Sequence, residues 1–163
     1  MKAIVIGATG AVGQDLVKTL LYDNRYETVT TFTRRPLGFT NPKIQSFIVD
    51  FNLPDTWHHL VQGDVLFSAL GTSLKQAGSK EAQYRVDHDY QLSFARAARE
   101  NGVPHMVLVS SVGADSSSRF FYLKLKGLIE KDVEALQFPS LTILRPPSLI
   151  RKHAKRPAET VSV

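Results

Sequence analysis

Gly7-Ala8-Thr9-Gly10-Ala11-Val12-Gly13 is the stretch of this chain whose residue types and spacing point most directly to a chemistry. An apolar run over residues 2–6 leads into it, and an amphipathic pattern with Leu16, Val17, Leu20 and Leu21 on one side leads out. Between a strand and a helix each glycine has a geometric use. Gly7 permits a tight turn, Gly10 lets the backbone approach a pyrophosphate, and Gly13 allows helix and strand to pack closely. Thr9, Ala11 and Val12 complete the turn, and N–H groups at the start of the helix face the anion. A dinucleotide is the natural ligand. Thr33-Arg34-Arg35 occupies the end of the second apolar run, where an NAD-selective site places a carboxylate for the ribose 2′-hydroxyl. Two guanidinium groups there suit a 2′-phosphate, so the expected cofactor is NADP(H).

A second constellation lies further along. Tyr122 and Lys126 stand four apart on one helical pattern, so they project from the same face at a spacing suited to proton transfer. Ser110 and Ser111 end the fifth apolar run, and strand alternation lets only one of them face a site. Ser111, which leads into the loop at Gly113, is preferred, with Ser110 the alternative. His58-His59 and the run Asp87-His88-Asp89 invite a metal reading, but adjacent residues on a helix diverge by about 100°. No metal is assigned.

The elements that must position these groups follow from hydrophobic periodicity. Strands are expected at residues 2–6, 28–32, 45–49, 65–69, 106–110 and 141–144, several of them continuous apolar runs of the kind covered on both faces. Helices are expected at 12–21, 56–62, 83–101 and 120–136, with loops at 34–43 and 71–80. Alternating strand and helix predicts an α/β fold: a doubly wound parallel sheet of about six strands with helices on both faces.

The order of short motifs resembles the extended and atypical short-chain dehydrogenase/reductases, and within them the small NAD(P)-binding proteins of the Tat-interacting oxidoreductase-like and NmrA-like group. The GxxGxxG turn, Asp50-Phe51, Ala69-Leu70-Gly71-Thr72, Val86-Asp87, Ser110-Ser111-Val112-Gly113-Ala114, Tyr122 with Lys126, and Leu144-Arg145-Pro146 all fall in family order. The resemblance implies that Asp50 and Phe51 meet the adenine, although Asp50 could equally cap the following turn. It implies that Ala69, Leu70, Gly71, Thr72 and Pro146 line the cofactor. It also implies that Tyr122 is the general acid or base, that Lys126 lowers the tyrosine pKa and holds the nicotinamide ribose, and that a serine completes the set. Two activities fit: NADPH-dependent reduction of a small carbonyl compound, or non-catalytic NADP(H) sensing of the NmrA-like kind.

Length and composition agree with one Rossmann domain at 1–150 in a chain of 163 residues, 43% hydrophobic and 21% charged. Residues 151–163 carry four Lys or Arg against one Glu and no apolar period, and are expected to be a disordered basic tail. The resembling families continue past the Arg-Pro motif into elements that wall a substrate pocket, so this chain reads as shortened at its C-terminal end. That tail supplies much of the formal charge of +5, and the body lacks basic residues interleaved with aromatics, which argues against a nucleic-acid partner. No apolar stretch approaches the roughly 20 residues of a membrane helix. Absence of cysteine and of a cleavable leader leads to an expected cytoplasmic setting. The partners left open are a small carbonyl substrate and a second copy of the chain.

Overall fold

A computed structural model describes residues 1–147. Positions 148–150 of the expected domain and the expected tail at 151–163 lie outside the described residues. Six strands form one sheet: β1 Lys2–Ile6, β2 Thr28–Thr33, β3 Ile44–Ile48, β4 Val65–Ser68, β5 His105–Val109 and β6 Ser140–Leu144. Their order is β3-β2-β1-β4-β5-β6 and every pairing is parallel. The order reverses between β1 and β4, and a crevice opens there beyond the carboxyl ends of the strands.

β1 shows why a continuous apolar run belongs at the centre. Ala3 and Val5 face one side with Val17 and Leu20 of helix α1, Ala11–Tyr22. Ile4 and Ile6 face the other, against Phe94 of α4, Gln91–Glu100, and Ile129 and Val133 of α5, Phe121–Glu134. Successive side chains point to opposite faces, so a strand buried on both cannot alternate in polarity.

Three expected elements differ from those observed. Residues 56–62 form two single 3₁₀ turns, Pro54–Thr56 and His58–Leu60, in place of a helix. Trp57 between them is fully buried and donates from its indole N–H to the Asp50 carbonyl at 2.9 Å, so one ring anchors the connection. The stretch 71–80 contains α2, Leu74–Ala77, capped by Ser73 and ended by Gly78 at φ +89°. The long helix at 83–101 is divided into α3, Lys80–Tyr84, a π-helical segment, Arg85–Tyr90, and α4. Segments of this kind insert one residue into a turn and re-aim the side chains beyond it.

Candidate cofactor and catalytic site

The site residues expected from the sequence all fall just beyond the carboxyl ends of the strands, on the first turn of α1 or on the first two turns of α5. The glycines of the turn after β1 divide the geometric tasks as expected. Gly7 has φ +81°, and a Cβ there would strike the Ala69 backbone after β4. A Cβ on Gly13 would strike the Gly7 carbonyl, so this residue sets how closely α1 approaches β1. Gly10 has extended backbone, φ −78°, and a Cβ there would meet only the Gly7 oxygen at 3.4 Å. The protein leaves the space at Gly10 open. The helical hydrogen bonds begin with Gln14 N–H to the Gly10 carbonyl at 2.9 Å, and Thr9 is held by Gln14 Nε2 on its carbonyl at 2.8 Å. The N–H groups of Ala11, Val12 and Gly13 precede that first bond and point out of the helix start, where an anion is favoured.

Gly7, Thr9, Thr33, Arg34, Arg35, Phe51 and Leu70 line a cleft beside this turn. Arg34 lies over the Phe51 ring, 5.9 Å from its centroid. Phe51 is buried against Tyr90 and Phe94. Asp50 spends its Oδ1 on the Asn52 N–H and Nδ2, at 2.9 and 3.1 Å, and so caps the following turn. The Thr33 Oγ1 is buried with no hydrogen-bond partner among the described residues. An orphaned hydroxyl on the cleft wall, together with the open face at Gly10 and the arginine pair, fits a phosphorylated nucleotide.

At the other end of the crevice the Lys126 Nζ lies 5.6 Å from the centroid of the Tyr122 ring. Lys126 is buried and Tyr122 is 43% exposed. Two carboxylates that the sequence reading did not place in the site flank the lysine. Asp87, fully buried in the π-helical segment, accepts the Thr72 N–H at 2.9 Å. Glu130, one turn beyond Lys126 on α5, binds Arg145 through both oxygens, at 2.9 and 2.5 Å. Burial alone would raise the Glu130 pKa. The Arg145 guanidinium, the Ser110 hydroxyl and the Lys126 charge together hold it below its ordinary value. Ser110 is buried on this side, whereas the partly exposed Ser111 donates to the Val112 carbonyl at 3.2 Å. Arg145 therefore turns back onto α5, and Pro146 receives the Val112 N–H on its carbonyl at 3.3 Å.

The i, i+4 spacing of Lys126 and Glu130 was the available signal for the second carboxylate. Asp87 stands in the family-order pair Val86-Asp87, but ordinary helical spacing over 83–101 does not show that it is buried in a π-helical segment. His88 is likewise inside, its ring nitrogens 2.8 Å from Asp89 and 2.6 Å from Asp132 of α5.

The profile of the NAD(P)H-binding family matches residues 7–162. The relative "Protein FMP52, mitochondrial" of Debaryomyces hansenii is 40% identical over 162 residues, which cover 95% of this chain and 70% of the relative. Protein HTATIP2 of Rattus norvegicus is 39% identical over 160 residues, covering 95% and 66%. Among solved structures, a short-chain dehydrogenase/reductase superfamily protein of Agrobacterium tumefaciens with bound NAD is similar in fold, with a TM-score of 0.75 at 18% identity. That match covers 89% of this chain and 48% of the other. The expected cytoplasmic setting does not stand, because the fungal relatives are named mitochondrial. Absence of cysteine removes disulfides and thiolates but does not separate one reducing compartment from another. Among the described residues no helix is long and apolar enough to cross a membrane.

Proposed function

The chain belongs to the NAD(P)H-binding family, and on that premise we propose that it is an NADP(H)-dependent oxidoreductase of the short-chain type, acting on a small carbonyl compound. The observation that carries this reading is the gathering, along the carboxyl end of the sheet, of a glycine turn open at Gly10, an arginine pair beyond β2, and Tyr122 beside Lys126 on α5.

The N–H groups of Ala11, Val12 and Gly13 hold the pyrophosphate, and Arg34 and Arg35 meet the 2′-phosphate beside Phe51. Gly71, Thr72 and Lys126 support the nicotinamide ribose. NADPH held there would supply the hydride for reduction of the carbonyl carbon. Tyr122 donates the proton that the carbonyl oxygen then needs, the neighbouring ammonium favours the phenolate left behind, and Ser111 hydrogen-bonds the same oxygen. The mitochondrial setting named for the fungal relatives extends to this chain on the same footing.

Titration of the purified protein with NADPH and NADH, followed by a panel of small aldehydes and ketones, tests this reading. NADPH is expected to bind at least several-fold more tightly and to be consumed with at least one substrate. Equal affinities would overturn the choice of cofactor, and tight binding with no turnover across the panel would overturn the oxidoreductase assignment.

A further inference from the structure

Ser111 lies on a loop, residues 110–120, that leaves β5 and leads into α5, and this loop rests directly on the helix it enters. Its first turn is closed by the Ala114 N–H on the Ser111 carbonyl at 3.2 Å, with Gly113 at φ +80° in the third position. That turn is pinned on both sides. The Val112 N–H donates to the Pro146 carbonyl at 3.3 Å beyond β6, and the Asp115 N–H donates to the Leu123 carbonyl of α5 at 3.0 Å. Asp115 Oδ1 then accepts the Ser117 N–H and hydroxyl at 2.9 and 2.7 Å, which tightens the chain ahead of α5.

Gly127 is what lets the loop come so close. It is buried on α5 one turn after Leu123, and a Cβ there would lie 2.1 Å from the Ser116 nitrogen and 2.3 Å from the Asp115 carbonyl carbon. Both are backbone atoms, so no side-chain rotation relieves the overlap. Ordinary van der Waals contact begins at 3.4 Å, and the loop would have to retreat from α5 by more than an ångström to admit a methyl group. The helix itself gives no reason for glycine, since alanine in a helix interior is favoured by about 1 kcal/mol. The loop does.

Tyr122 and Lys126 project from α5 directly, whereas Ser111 reaches the same crevice only through this loop. We infer that Gly127 is a positioning residue for the proton-transfer site: it seats the 111–116 loop on α5 and so fixes Ser111 relative to Tyr122. The inference rests on the reading of Ser111 and Tyr122 as partners at the substrate oxygen. Ser110 precedes the seat and is held by its own N–H on the Leu144 carbonyl at 2.7 Å, so a displaced loop moves Ser111 and leaves Ser110 behind.

Gly127→Ala, alone and combined with Ser111→Ala, tests the inference through carbonyl reduction, NADPH titration and amide hydrogen exchange. NADPH affinity stays within about twofold, because the backbone that moves is not the backbone that holds the pyrophosphate. In the native background kcat falls by about tenfold to a hundredfold, whereas in the Ser111→Ala background it falls by less than about twofold. The Asp115 amide exchanges at least about tenfold faster once its seat is lost. Native kcat in Gly127→Ala, or losses that multiply in the double variant, would overturn the positioning role. If Gly127→Ala does not fold, Asp115→Ala loosens the same seat from the loop side. A fall in kcat that disappears in the Ser111→Ala background then supports the inference, and an unchanged or multiplying effect overturns it. A native chain that reduces no carbonyl substrate, with faster Asp115 exchange in Gly127→Ala, would remove the oxidoreductase reading and uphold the seat. Unchanged exchange would overturn the seat itself.

Discussion

Gly10→Val and Gly13→Val are the same chemical change three residues apart, and the structure assigns them opposite consequences. At Gly10 the backbone is extended, a conformation valine adopts freely, and the nearest protein atom to an added Cβ is 3.4 Å away. Gly10 is also the N-cap of α1, where replacement by an apolar residue costs about 1 kcal/mol, which lowers the melting temperature of a domain this size by roughly 2–4 °C. The fold survives. The branched side chain instead fills the space over the N–H groups of Ala11, Val12 and Gly13, so dinucleotide affinity falls by a factor on the order of a hundred or more. At Gly13 the added carbon would overlap the Gly7 carbonyl, which is backbone between β1 and α1 and cannot rotate aside. The loss there is expected to exceed about 4 kcal/mol, enough to unfold a marginal domain. Thermal melts followed by far-UV circular dichroism, with NADPH fluorescence titration of whatever remains folded, separate the two. Retained NADPH binding in Gly10→Val would refute the pyrophosphate assignment, and a well-folded Gly13→Val would refute the packing argument.

Changing both Arg34 and Arg35 to alanine should erase the preference for NADPH over NADH and leave NADH affinity nearly unchanged, as measured by parallel titrations. Its failure would send the search for the 2′-phosphate contact elsewhere. Tyr122→Phe should preserve NADPH affinity and eliminate turnover, whereas Lys126→Ala should weaken both; a Tyr122→Phe variant with native turnover would show that another group supplies the proton. Because the folded Glu130 pKa lies below its ordinary value of 4.5, this carboxylate contributes stability that is complete above that value and is lost as pH falls through the lower folded value. Glu130→Gln should accordingly flatten the acid limb of a stability profile below pH 4.5, and an unchanged slope would show that Glu130 is not the titrating group.

Local chemistry alone settled the crossover topology and the glycine turn. A continuous apolar run such as residues 2–6 tolerates only a doubly covered strand, and the spacing of Gly7, Gly10 and Gly13 has few uses other than a turn that admits an anion. The arginine pair was legible for a similar reason, since its place depends only on where β2 ends. Tyr122 and Lys126 were legible because helix spacing puts both on one face. Contacts between distant segments carry no such local signature. Thr33 left with an orphaned hydroxyl and Ser110 turned inward beside Glu130 are decided by which strand or helix packs opposite. Asp87 is the clearest case. Ordinary helical spacing makes Asp87, His88 and Asp89 diverge, whereas in the fold Asp87 and His88 are both buried in a π-helical segment. Periodicity reports what each residue does within its own element, whereas a buried charge is placed by the balance of elements that close around it.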